Sequence, residues 1–184
     1  MDGLRIFLAD DHSLVRRAIR SLLGSHSDWQ VCGEASDGRE ALGKVNELKP
    51  DVMILDLNMP ELNGLEVTRR VHKMCPQVEV LVLTVQDSEQ VMRQGLEAGA
   101  RGYMLKSDAG DELLTAVETV RRHHLFLSSQ TSRIRPVRPP QWQRREVPTA
   151  YSTRTHIKPP IEPGAGVTLS FNRGTLFVCL GAFR

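Results

Sequence analysis

The sequence predicts an α/β domain in which a doubly wound parallel sheet is covered by helices on both faces. Apolar segments typical of strands alternate with segments of helical periodicity, five times between residues 4 and 128. The third strand segment, 52–55, is an unbroken apolar run, which is typical of a central strand that is buried on both faces. The connections are short, so right-handed crossovers between parallel strands are expected.

The predicted strands are runs rich in aliphatic and β-branched residues that end at a polar side chain or a turn. They span residues 4–9, 29–35, 52–55, 78–83 and 102–105. Each predicted helix carries apolar residues at helical spacing, as in the inward stripe formed by Leu14, Val15, Ala18, Ile19, Leu22 and Leu23. Turn and capping residues mark the helix ends: Gly24, Asp37, Pro50, Pro76, Ser88, Gly99 and Asp111.

Charge divides the chain into an acidic body and a basic end. Residues 1–129 carry 15 lysines and arginines against 20 aspartates and glutamates, whereas residues 130–184 carry 9 against 2. Seven of the ten prolines also fall in the second part. We therefore expect a folded domain at 1–128, followed at 129–184 by a basic, Pro- and Arg-rich tail that is largely disordered.

The tail offers two further expectations. Two short apolar runs flank Asn172, Arg173 and Gly174, which predicts a β-hairpin over residues 167–180. No pair of amphipathic helices around a tight turn is visible, so a helix-turn-helix is not recognised. A change of reading frame near residue 130, which would have replaced a DNA-binding domain, is one hypothesis for this composition.

Cysteine usage and hydropathy suggest the compartment. Cys32, Cys75 and Cys179 are odd in number and far apart, which argues against a disulfide framework and favours a reducing cytoplasm. No secretory signal and no apolar run of membrane-spanning length is seen, so no membrane partner is expected. The histidines show no metal-ligand spacing.

Polar residues end four of the five predicted strands. They are Asp10 and Asp11, Asp56, Thr84 and Lys106. Each has a simpler explanation when taken alone: an aspartate caps the next helix, Thr84 is a good strand former, and Lys106 is a solvated charge. Because the ends of parallel strands share one edge of the sheet, the four together predict a site at that edge.

The chemistry of such a site follows from its charges. Three neighbouring carboxylates need a counter-charge, and Mg²⁺ prefers oxygen ligands of this kind. One carboxylate can then act as a nucleophile toward a phosphoryl group, whose oxygens a lysine and a hydroxyl would stabilise. The pattern predicts a Mg²⁺-dependent aspartyl-phosphate site.

Residues 4–128 resemble the receiver domain of two-component response regulators, and most closely its nitrate/luminescence-regulator branch. The motifs that carry the resemblance are Asp10-Asp11-His12, Ile54-Leu55-Asp56, Met59-Pro60, Gly64, Val82-Leu83-Thr84 and residues 102–107 ending in Lys106-Ser107. The resemblance implies a flavodoxin-like (βα)5 fold with strand order 2-1-3-4-5. It also implies a response regulator with no enzymatic activity beyond its own phosphorylation and dephosphorylation.

The resemblance assigns the acidic residues. Asp56 would be the phosphoacceptor. Asp10 and Asp11 would bind Mg²⁺ together with Asp56, and Asn58 would offer its backbone carbonyl to the metal. Asn58 and Gln86 also occupy positions whose side chains tune the attack of water on the phosphorylated aspartate.

The resemblance also assigns a switch. Lys106 would pair with a phosphoryl oxygen, Thr84 would donate its hydroxyl to the phosphate, and Tyr103 would swing inward when Thr84 moves. The simpler alternative for Tyr103 is an ordinary half-buried strand aromatic. Ser107 stands where many receivers have proline, so the loop after Lys106 is expected to differ in shape.

Three functions remain open at this stage. The first is a phosphorylation-controlled module that acts through protein contacts, with a sensor histidine kinase as donor and a second copy of the chain considered as a partner. The second is a transcription regulator that touches DNA through the basic tail or a truncated, frameshifted or diverged domain. The third, a flavodoxin-like cofactor enzyme, is disfavoured because no glycine-rich loop follows the first strand.

Overall fold

The described residues form one six-stranded parallel sheet flanked by five helices. The computed structural model describes residues 3–131, and the backbone of residues 167–172 and 175–180. The strands of the parallel sheet are β1 (Leu4–Ala9), β2 (Trp29–Ala35), β3 (Val52–Leu55), β4 (Glu79–Thr84), β5 (Gly102–Leu105) and β6 (Phe126–Leu127). Their order is β2-β1-β3-β4-β5-β6, which confirms the flavodoxin-like fold. The sequence did not reveal β6, because two residues are too few to show a strand pattern.

Five helices connect the first six strands. They are α1 (Ser13–Leu23), α2 (Gly38–Leu48), α3 (Gly64–Met74), α4 (Glu89–Glu97) and α5 (Ala109–Arg121). Asp37, predicted as a turn residue before the helix, is also the cap of α2, since its carboxylate accepts hydrogen bonds from the backbone of Arg39 and Glu40. Ser88 holds the N-cap position of α4, but its side chain makes no capping hydrogen bond.

The start of α5 differs from the prediction that Asp111 caps it. A short 3₁₀ helix at Lys106–Asp108 runs directly into α5, which begins at Ala109, so Asp111 lies inside the first turn. Ser107 lies within this 3₁₀ turn, and the difference in loop shape expected from it stays a prediction. The continuous helical path from Lys106 replaces the separate loop and cap that the sequence suggested.

The sheet has an apolar core on each face, as the unbroken run in β3 predicts. Met53 and Leu55 pack into one core, which is covered by α2, α3 and α4, while Val52 and Ile54 pack into the other. The predicted inward stripe of α1 was wrong at two positions: Leu14 is 73% exposed, and Ala18 is exposed as well. Leu14 lies in the first turn of α1. The buried contacts of this helix come from Ile19 and Leu23, further along it.

A second unit is described only by its backbone. β7 (Val167–Asn172) and β8 (Thr175–Leu180) pair antiparallel, with Asn172 opposite Thr175, at the position where a hairpin is predicted. The other expectations for the tail fall on residues outside the described part of the chain. The domain boundary at 128/129 stays a prediction, and among the described residues no helix has the length and apolarity that crossing a membrane requires.

Candidate functional site

Two aspartates meet at the carboxyl edge of the sheet because their strands are paired in register. β1 and β3 align with Ala9 opposite Leu55, so Asp10 and Asp56 are the next residues along the two strands. The backbone N–H of Asp56 donates to the carbonyl of Ala9 at 2.8 Å, which continues the pairing past the strand ends. Both carboxylates are buried, at 3% and 2% exposure.

Lys106 joins these two carboxylates. It follows β5 directly, and its Nζ lies 2.7 Å from Oδ2 of Asp56 and 2.8 Å from Oδ2 of Asp10. Burial alone would lower the pKa of the Lys106 ammonium, but its contacts with Asp10 and Asp56 outweigh burial and raise the pKa above its ordinary value. The lysine is therefore a fixed positive charge between two buried negative ones.

The acidic group extends outward to Asp11 and His12. Asp10, Asp11, His12 and Asp56 each offer one candidate ligand atom, and these four atoms lie within 4.8 Å of one another. Asp10 Oδ2 is buried and accepts no well-aligned hydrogen bond from the described residues, although it contacts Lys106 as an ion pair. Carboxylate oxygens with spare acceptor capacity fit a hard divalent cation.

The aspartates do not serve as helix caps, which was the simpler explanation of Asp10 and Asp11. His12 is the N-cap residue of α1, and its side chain makes no capping hydrogen bond. The carboxylate of Asp10 instead accepts a hydrogen bond from the backbone N–H of His12 at 2.9 Å. His12 was missed as a site residue because its sequence position alone does not show where its ring nitrogens point.

The loop after β3 is folded closely around Asp56. The backbone N–H of Asn58 donates to Oδ1 of Asp56 at 3.2 Å, which places Asn58 beside the carboxylate. Gly64 donates its N–H to the carbonyl of Leu57 at 2.9 Å, so the start of α3 lies against the end of β3. A Cβ on Gly64 would lie 2.3 Å from the Asp56 carbonyl oxygen, so only glycine permits this approach.

Gln86 connects the remaining predicted residues. Thr84, which is fully buried at the end of β4, accepts a hydrogen bond on its hydroxyl from the backbone N–H of Gln86 at 3.2 Å. The Gln86 side chain donates to Oδ1 of Asn58 at 2.7 Å. The resemblance gave Asn58 and Gln86 the same role in tuning the attack of water, and the structure shows that their side chains are hydrogen-bonded to each other.

Tyr103 is fully buried in β5, which exceeds the half-burial expected of an ordinary strand aromatic. Its hydroxyl donates to the backbone carbonyl of Gln86 at 2.8 Å. Burial, with a smaller contribution from the charge of Asp87, raises the pKa of Tyr103 to about 12. The hydrogen bonds of Thr84 and Tyr103 thus converge on Gln86, in the loop after β4.

Comparison with known proteins identifies this arrangement. Residues 6–118 match the family described as the response regulator receiver domain. The chain belongs to the response regulator receiver family. The acidic group and Lys106 therefore lie in a receiver domain of the kind found in two-component response regulators.

Relatives of this receiver are regulators of the nitrate/luminescence type. The transcriptional regulatory protein DegU of Brevibacillus brevis is 38% identical over 117 residues, which are 64% of this chain and 50% of DegU. The first curated relatives are matched over 50% to 60% of their own length. This chain therefore matches only about half to three fifths of each of those regulators.

Two solved structures are similar to the receiver. A LuxR-family response regulator from Aurantimonas sp. superposes with a TM-score of 0.69 at 31% identity, covering 71% of this chain and 94% of that one. The isolated receiver of RcsB from Salmonella enterica serovar Typhimurium, solved with phosphomimetic BeF3−, gives 0.68 at 25% identity, covering 73% and 99%. Both superpositions extend over little more than the receiver of this chain, so the similarity concerns this domain.

Proposed function

We propose that the chain is a response regulator that accepts a phosphoryl group on Asp56 from a sensor histidine kinase in a Mg²⁺-dependent reaction. The observation that carries the proposal is the buried Asp56 carboxylate, held between Lys106 and the Asp10–Asp11 pair. A buried nucleophilic carboxylate with a fixed cation and spare oxygen ligands is the arrangement that aspartyl phosphorylation requires.

The transfer of the phosphoryl group to Asp56 requires no further protein group as acid or base. A carboxylate oxygen of Asp56 attacks phosphorus, the bond from phosphorus to the donor imidazole nitrogen breaks, and that nitrogen keeps the electron pair. Lys106 would move from its carboxylate contacts to a phosphoryl oxygen. Mg²⁺, held by Asp10, Asp11, Asp56 and the Asn58 carbonyl, would supply positive charge that compensates the phosphoryl oxygens.

The switch would act through Thr84 and Tyr103. Phosphorylation adds roughly −2 of charge at Asp56, which favours donation by the Thr84 hydroxyl toward the new group. Thr84 and Tyr103 share Gln86 as a hydrogen-bond partner, so a move of Thr84 changes the environment of Tyr103. The surface of α4, β5 and α5 would then change its partner preference, which includes a second copy of the chain.

The output belongs to one of two classes. Control through protein contacts needs only the receiver surface. Control of transcription is favoured by the name of DegU, a transcriptional regulatory protein, and by the basic residues after 130. A gel shift over a salt series separates these outputs, because binding by basic charge alone weakens steeply with salt and ignores DNA sequence. The cytoplasmic location stays a prediction.

Labelling with a small acyl phosphate in the presence of Mg²⁺ tests the phosphoacceptor. We expect Asp56→Asn to abolish labelling, because its amide cannot act as the nucleophile. Asp28→Asn, an exposed aspartate away from the site, is the matched control and should label normally. Undiminished labelling of Asp56→Asn would reject the assignment.

A further inference from the structure

We propose that His12 is an additional metal ligand, which lets the acidic site take Co²⁺, Ni²⁺ or Zn²⁺ through nitrogen in addition to Mg²⁺ through oxygen. The inference rests on the proposed function because it concerns the same site. It adds a residue that determines which divalent ions bind. Imidazole suits later first-row metals, whereas Mg²⁺ selects carboxylate, carbonyl and water.

The position of the His12 ring carries the first step. Its Nδ1 lies 2.6 Å from Oδ1 of Asp11 and 3.4 Å from Oδ1 of Asp10. Adjacent ligands of an octahedral ion with bonds of about 2.1 Å are roughly 3 Å apart. The two distances bracket that spacing, so a small side-chain adjustment brings Nδ1 and both oxygens onto one ion.

The site has a rigid inner half and an adjustable outer half. Asp10 and Asp56 are buried, and Oδ2 of Asp10 accepts no well-aligned hydrogen bond from the described residues. Asp11 and His12 have side chains that are 33% and 64% exposed. The inner oxygens fix the location of an ion, and the outer pair can move to complete its shell.

The imidazole of His12 is available for this role because it does not hold α1 in place. His12 is the N-cap residue, yet its side chain makes no capping hydrogen bond. The hydrogen bond that joins the start of α1 to Asp10 comes from the backbone N–H of His12. The competing explanation is an exposed ion pair with Asp11, which stabilises a protein by about 0–1 kcal/mol and has no preference among metals.

Calorimetric measurement of ion binding by the full-length chain tests the inference, with MgCl2, NiCl2 and CoCl2 at one fixed pH. We expect His12→Ala to weaken the binding of Ni²⁺ and Co²⁺ by at least about tenfold and to leave the binding of Mg²⁺ unchanged. A tenfold loss of affinity is seen even when a residue that only supports a metal ligand is replaced. His124→Ala, an exposed histidine beyond α5, is the control and should change none of them.

The visible absorbance of bound Co²⁺ gives a second readout, because it changes when a nitrogen ligand is lost. His12→Asn provides a replacement variant, since asparagine is favoured at an N-cap and preserves the fold. The role of His12 would be overturned if its replacement weakened the binding of Mg²⁺ and Ni²⁺ equally, or weakened the binding of neither ion. Absence of Mg²⁺ binding in the unmodified chain would instead contradict the proposed function. In that case, weaker Ni²⁺ binding by His12→Ala would still support the role of His12.

Discussion

Tyr103 shows how burial sets the chemistry of a single side chain. Its phenol is enclosed and donates to the Gln86 carbonyl, and its pKa is raised to about 12 from the ordinary value near 10. Between these values the folded chain holds a proton that the unfolded chain has released. Stability linked to Tyr103 is therefore complete below pH 10 and is lost as the pH rises toward 12.

This linkage predicts a difference between two proteins. Between pH 10 and 12 the free energy of unfolding should fall more steeply for the unmodified chain than for Tyr103→Phe, which has no phenol to ionise. Urea unfolding at several pH values measures both slopes. Parallel slopes across this window would contradict the raised pKa of Tyr103.

Lys106 illustrates the cost of an uncompensated charge. Its ammonium lies between two carboxylates that are each at least nine-tenths buried. Without divalent cations, Lys106→Met should lower the free energy of unfolding by about 1–3 kcal/mol, because the remaining charges lose their partner. Adding MgCl2 should reduce the difference, since a bound ion replaces the missing positive charge.

Urea unfolding with and without MgCl2 measures this effect. Lys73→Met is the matched control, because Lys73 is an exposed lysine in the last turn of α3. The control should show a small change that does not depend on MgCl2. The same MgCl2 response in both variants would mean that the ion acts elsewhere.

At the scale of elements, α3 can start where it does because Gly64 lacks a side chain. A Cβ there would meet the Asp56 carbonyl oxygen and lie 2.7 Å from the Cα of Leu57, and both atoms belong to backbone that cannot easily move. Gly64→Ala should therefore destabilise the protein by about 1–3 kcal/mol, the cost typical of overpacking. It should also reduce labelling of Asp56, because the displaced backbone carries this proposed phosphoacceptor.

Gly43 is the natural comparison for Gly64. It lies inside α2, and a Cβ there would meet nothing within 4 Å. Gly43→Ala should stabilise the protein by about 0.5–1 kcal/mol, because alanine is the better helix former. Thermal unfolding should show a lower stability for Gly64→Ala and a higher stability for Gly43→Ala. Destabilisation of both variants by similar amounts would contradict the steric explanation.

Local patterns predicted the elements whose signals are long enough. The unbroken run at 52–55 identified a central strand, and polar residues after successive strands identified the edge where Asp10 and Asp56 meet. The 3₁₀ turn at Lys106–Asp108 was missed because three residues are too few to show a helical pattern. The exposure of Leu14 was missed because periodicity gives the direction of a stripe but not its width.

At the scale of the whole molecule, the α/β unit includes residues beyond its last helix. β6 pairs with β5, and Ser128 is buried with its N–H bonded to the Tyr103 carbonyl at 3.2 Å. Thr131 is 1% exposed, and Gln130 donates its side-chain amide to Asp108 at 2.8 Å. Hydropathy could not predict these contacts, because most of the residues are polar and are placed by hydrogen bonds to β5 and α5.

Two shortened chains test this extension. A chain that ends at Thr131 should keep the stability of the α/β unit, whereas one that ends at His124 loses β6 and the contacts that follow it. We expect the free energy of unfolding of the shorter chain to be about 2–4 kcal/mol lower, because it lacks the partly buried side chains of Leu125, Phe126 and Leu127. Urea unfolding compares them, and equal midpoints would show that this segment adds nothing.

The two ends of Tyr103 have different partners, and this has a mechanical consequence. Its hydroxyl is bound to the loop that follows Thr84, and its carbonyl is bound to Ser128. Tyr103 therefore joins the backbone of Ser128 to the sheet edge at which Asp56 lies. In the proposed switch, a movement of Tyr103 would reach the backbone of Ser128 directly, because one residue carries both hydrogen bonds.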